Sequence, residues 1–190
     1  MMGAGVRELG ELRGERVLRL VGRGAQVVLI LLATCIAALP LGLPAESRYV
    51  LPLLPLAIIF HATQCRPGVV PEWLAFLCGL TLDVLTQGPL GFWAFVYLSA
   101  HALALVAHPL AEHGTAWRLA LLAGGIAASA AIAWTAASLY YGEVAAVAPW
   151  ARAVLWAVPL ALVVVLLRRL VGGAVGPRRA NMRLEREGWR

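Results

Sequence analysis

Long apolar runs separated by short polar breaks dominate the chain, and their lengths set the first expectation. A helix that crosses about 30 Å of hydrocarbon at about 1.5 Å per residue needs about 20 apolar residues. Four segments meet that requirement: Ala25–Leu43, Leu90–His108, Trp117–Tyr140 and Trp150–Leu170, each bounded by charges, prolines or interfacial aromatics. Two shorter runs, Tyr49–Thr63 and Trp73–Thr86, would each cover about 21 to 23 Å as helix. Either both cross with help from flanking residues or one is re-entrant. The prolines fit this plan. Pro52 and Pro55 fall in the first turns of the second run, where missing N–H groups cost least, Pro40 bends the end of the first run, and Pro159 predicts a kink in the last.

Composition agrees with the run lengths. Of 190 residues, 61% are hydrophobic and 14% are charged, outside the balance of a soluble globular domain. The net charge of +6 comes from arginines gathered at the two ends: Arg7 to Arg23 before the first run and Arg168 to Arg190 after the last. Between them stand only Arg48, Arg66, Arg118 and Arg152, with no basic stripe interleaved with aromatics, so the charge reads as a topology signal and not as a nucleic-acid surface. An even number of spans keeps both arginine-rich ends on one side. The expectation is therefore an all-α membrane protein, a six-transmembrane-helix bundle with both termini cytoplasmic. The connections around Arg66 and Glu112 are then cytoplasmic, and those around Glu46, Gly88 and Glu143 face outward.

This layout divides the chain into a basic N-terminal segment (1–24), a six-helix domain (25–171) and a basic cytoplasmic tail (172–190). Val6 to Val21 has the spacing of an amphipathic helix lying on the membrane surface, and Gly172, Gly173, Gly176 and Pro177 are expected to break the last helix. The run from Ala25 lacks a small-residue cleavage pattern and reads as a retained helix. Cys35, Cys65 and Cys78 form neither a disulfide framework nor a metal set, and no cofactor is expected.

The polar residues of interest lie between Phe76 and Ala94, in the order F-x-x-G-L-x-L-D-x-x-x-x-G-P-L-G-x-x-A. In this stretch Gly88 is expected to take a backbone angle closed to other residues, Pro89 to open a helix, and Gly91 to let another backbone approach. The product is a tight corner between the third and fourth helices. Asp83, the sole aspartate, sits about one and a half turns before the corner, where a charge in hydrocarbon costs about 2.5 to 3.5 kcal/mol. Its compensation is either the free N–H groups that open the fourth helix or a polar group of a partner, with the carboxyl charged or protonated. His101, the one histidine deep in a span, is set about 10 Å away by helix geometry, which argues against a proton relay. No nucleophile-and-base pair, phosphate loop or metal spacing accompanies these residues.

A second pattern is steric. Gly124 with Ala128 and Gly125 with Ser129 give overlapping small-x-x-x-small pairs in the fifth run, and Ala33 with Ala37 gives a weaker one in the first. Such faces let helices pack closely in lipid, either within the bundle or against a partner.

The Phe76–Ala94 pattern resembles that of the rod shape-determining MreD family, a G-L-x-x-D helix followed by a G-x-P-L-G-like break; here Gly79, Asp83, Gly88, Pro89 and Gly91 carry it. The order Gly88-Pro89-Leu90-Gly91 departs slightly from the family's spacing before the proline. The resemblance implies a bundle similar to the substrate-binding component of energy-coupling-factor transporters. It also implies a non-catalytic subunit of the cell-wall elongation complex that serves rod shape and peptidoglycan synthesis by binding MreC, near RodA, a penicillin-binding transpeptidase and MreB. Membrane lipids are the other partners, and a homodimer remains open. The alternative is a small-molecule-binding membrane subunit of a transporter.

Overall fold

The computed structural model describes residues 21–22, 24–39 and 49–175, with side chains described as far as 166. The expected N-terminal surface helix, Pro40 and the tail from 176 onward lie outside the described residues. Within them the chain is helical and holds no strand. The helices are α1 (Gly24–Ala38), α2 (Val50–Cys65), α3 (Glu72–Leu85), α4 (Phe92–Ala107), α5 (Thr115–Tyr141) and α6 (Val147–Val175), with a 3-10 turn at Pro109–His113 before α5.

Local chemistry sets the boundaries. Extended Pro71 precedes α3, whose first turn carries Glu72, a charge that suits the positive end of a helix. Gly142 closes α5 in the left-handed conformation, a common way to end a helix. Gly91, also left-handed, delays the start of α4 to Phe92, and His108 leads into the 3-10 turn. As a result α4 has 16 residues, shorter than the Leu90–His108 run. Pro52 stands in the first turn of α2 and Pro55 inside the helix, in its second turn, as the sequence suggests. Pro159 is accommodated within α6. That helix continues through Gly172 and Gly173 and is described as far as Val175, directly before Gly176 and Pro177. A helical glycine costs only about 1 kcal/mol relative to alanine, too little to stop a helix otherwise made of good formers.

The core is centred on α2, ten of whose 16 residues are buried. It packs against α4, α5 and α6, while α4 also packs against α3 and α5. The elements alternate in direction. At one end the start of α2, α4 and α6 meets the end of α5 around a common cavity. At the other, the Gln64 side chain donates to the carbonyl of Arg118 at 3.5 Å and His108 Nδ1 lies 2.7 Å from the carbonyl of Gln64, joining the end of α2 to the start of α5 and the end of α4.

Among the described residues, α5 and α6 are long and apolar enough to cross a membrane, while α1, α2 and α4 are shorter apolar helices. A soluble protein's core helix would be mostly buried, whereas only 33% of the apolar window in α5 and 28% of that in α6 is buried. Large apolar side chains such as Val106, Leu139 and Trp156 point outward. An apolar exterior of this kind indicates membrane association.

Candidate functional site

The corner between α3 and α4 is organised by Asp83, which is fully buried. Its Oδ1 accepts a hydrogen bond from the N–H of Trp93 at 2.8 Å, and its Oδ2 accepts from Gly91 at 2.9 Å and Ala94 at 3.3 Å. Gly91 is the N-cap of α4 and brings no side chain of its own. The carboxylate therefore satisfies, from the preceding helix, the orphan donors that a Ser or Asp cap would normally take. Of the two compensations open to Asp83 in the sequence, the structure holds the one made by the helix start.

The backbone of Asp83 ends its own helix as well. The N–H of Gly88 donates to the carbonyl of Asp83 at 3.1 Å, and that of Gln87 to Val84 at 3.3 Å. This pairing is a Schellman motif with Gln87 in its left-handed position, at φ 52. One residue thus closes α3 through its main chain and opens α4 through its side chain.

The corner glycines do different work from that expected. Gly88 is outside the left-handed region, which is occupied by Gln87 and by Gly91 at φ 91. The reason is register: α3 ends at Leu85, so the left-handed step after the C-cap falls on residue 87. Gly91 is needed for its conformation and does not admit a neighbouring backbone, since a Cβ there would meet nothing within 4 Å. The close approach belongs to Gly79, where a Cβ would stand 2.5 Å from Ala94 Cα and 2.6 Å from the Trp93 carbonyl oxygen. Pro89 precedes α4 instead of opening it; its carbonyl accepts from the Phe92 N–H at 3.1 Å and so shapes the turn.

The small pairs of α5 separate onto two faces. Gly125 and Ser129 are buried, with the Phe60 ring pressed against Gly125 and the Ser129 hydroxyl donating to the Gly125 carbonyl at 2.7 Å. Gly124 and Ala128 face outward, and a Cβ on Gly124 would meet nothing within 4 Å. Ala33 and Ala37 line an apolar groove of about 270 Å³ between α1, α2 and α6.

Histidine stands apart from the acid. His101 is buried with Nε2 3.0 Å from the Val70 carbonyl, and His108 is held at Gln64, so neither shares a partner with Asp83. Among the described residues no group of three or more His, Cys, Asp or Glu side chains could hold a metal ion. The arrangement fixes the angle between two helices, and the carboxylate at its centre has no exposed surface to offer a substrate. No protein-family model matches the chain, and neither a curated protein nor a solved structure gives a significant match.

Proposed function

We propose that this chain is a non-catalytic, six-span subunit of the bacterial inner membrane, with both termini cytoplasmic, that binds MreC within the cell-wall elongation complex. One observation carries the reading. The residues on which the MreD resemblance rests fold into a single corner whose only acid is consumed by three backbone donors. A motif built this way serves architecture, as an assembly subunit requires. Further support comes from the outward face at Gly124 and Ala128, where close backbone approach can drive helix association in lipid. The four shorter helices cross with help from flanking residues and local thinning of the bilayer, adjustments that cost fractions of a kcal/mol per Å of mismatch.

Affinity purification from solubilised membranes tests the reading. Recovery of MreC with the tagged chain is the expected result. Recovery of a stoichiometric small molecule without MreC would replace it with the transporter-subunit alternative.

A further inference from the structure

The apolar groove between α1, α2 and α6 has two unlike ends. Its floor is Ala37, Ala57 and Ala161, one from each helix and none more than 7% exposed, and its sides are longer aliphatic side chains such as Leu54, Ile58 and Val164. Along α2 the lining runs from Leu51 to His61, about 15 Å of helix. Among the described residues His61 is the one polar side chain in the lining, and it closes one end. Tyr49 touches Trp150, with ring centroids 4.4 Å apart, so α2 and α6 run side by side from a common level, and equal steps along each bring His61 level with the stretch from Ala161 to Val165. Basic residues begin just beyond. Exposed Arg66 follows the last residue of α2, and Arg168 and Arg169 stand four residues after Val164 and Val165, on the same face of α6. The acids nearest in the chain to this end, Glu72 and Glu112, belong to α3 and the 3-10 turn, which do not line the groove.

A slot that is apolar for most of its length and basic at one end suits an anion that carries a hydrocarbon chain. Its length of about 15 Å is half of the hydrocarbon thickness, the depth that one acyl chain reaches from its own leaflet. A transmembrane helix is about 10–12 Å across with its side chains, so it would rest on the Leu, Ile and Val sides and leave the alanine floor uncovered. An unbranched chain reaches that floor. Basic pockets between membrane helices on the cytoplasmic side are places where anionic headgroups bind, and a zwitterionic lipid with the same chains gains less from the arginines.

We propose that the groove holds one acyl chain of an anionic phospholipid, with the phosphate past His61 at the level where Arg66, Arg168 and Arg169 stand. This rests on the membrane-spanning layout proposed above and not on the identity of the partner protein. The bound chain fills the space that separates α1 from α2 and α6, so the lipid is a component of the bundle's packing.

The test uses the full chain in a nonionic detergent and two probes with identical dioleoyl chains, phosphatidylglycerol and phosphatidylcholine, with retained lipid counted by native mass spectrometry. One phosphatidylglycerol per chain is expected, held about tenfold more tightly than phosphatidylcholine. Ala33→Phe, which fills the groove, should abolish retention of both. Arg168→Gln with Arg169→Gln should keep a bound lipid but bring the two probes within about threefold of each other. Val106→Ala, on the exposed face of α4, should change neither result. Equal retention of the two lipids by the wild type, no retention at all, or unchanged retention by a folded Ala33→Phe protein would overturn the proposal, as would a second copy of the chain bound in place of lipid. Should Ala33→Phe fail to fold, the arginine pair decides: an undiminished preference for phosphatidylglycerol overturns the proposal. Sidedness of reporter fusions and MreC recovery are scored separately. MreC recovered by a chain without lipid preference overturns the groove proposal alone, whereas a preference without MreC overturns the partner and leaves the groove standing.

Discussion

Replacing Asp83 tests whether the α3–α4 corner is held as described. Asp83→Leu removes both acceptor oxygens and leaves the N–H groups of Gly91, Trp93 and Ala94 without partners. A buried, unsatisfied donor costs about 1–3 kcal/mol, and the long Ala94 contact will relax most readily, so the loss should be about 3–5 kcal/mol. The sequence suggests that Asp83→Asn is mild because it keeps hydrogen-bonding capacity. The geometry revises that expectation. Both oxygens accept and every group facing them is a donor, so an asparagine can keep Gly91 and Ala94 only by aiming its NH₂ at the Trp93 N–H. A cost of about 1.5–3 kcal/mol follows, between wild type and leucine. Unfolding by a denaturing detergent in mixed micelles, followed by far-UV circular dichroism, measures all three. An Asp83→Leu protein within about 0.5 kcal/mol of wild type would refute the capping argument. If Asn and Leu variants were equally stable as wild type yet equally inactive, the need would be for a charge or a proton.

Gly79→Ala should destabilise by about 1–3 kcal/mol, because the new methyl meets the α4 backbone, which cannot rotate away as a side chain could; the same unfolding assay reads it. Gln87→Gly should stabilise by about 0.5–1 kcal/mol by relieving the left-handed position, and a loss of stability would mean that the Gln87 side chain supports the corner. Gly125→Leu, against the Phe60 ring, should lower the amount of folded protein, whereas Gly124→Leu with Ala128→Leu should leave that amount unchanged and weaken MreC recovery. Reporter fusions after Gly88 and after Arg190 should give opposite sidedness, and equal sidedness would overturn the six-span layout.

Helix order and the place of the corner are legible in the sequence because both depend on local features: apolar run length, and a Gly-Pro-Leu-Gly break after a lone acid. The division of labour among the glycines is not, because it depends on where α3 stops. A shift of one residue moves the left-handed step from Gly88 to Gln87. The role of Gly79 is tertiary and appears only when Ala94 is seen against it. The two small pairs of α5 are offset by one residue, about 100° around the helix, so their spacing gives no hint of which faces inward. The cavity where α2, α4 and α6 begin and α5 ends also escapes a linear reading. Tyr49, Trp93, Tyr140 and Trp150 stand at the ends of separate runs, where interfacial anchoring is the ordinary explanation. The available signal was that the expected layout puts all four on the same side.

Co-expression of this chain with MreC alone, followed by purification through a tag on the chain and size-exclusion chromatography, tests the central claim most directly. The account predicts that the two proteins elute together in constant ratio, and that Asp83→Leu lowers the amount of complex in proportion to the loss of folded chain. MreC eluting apart from a well-folded, monodisperse chain would contradict it.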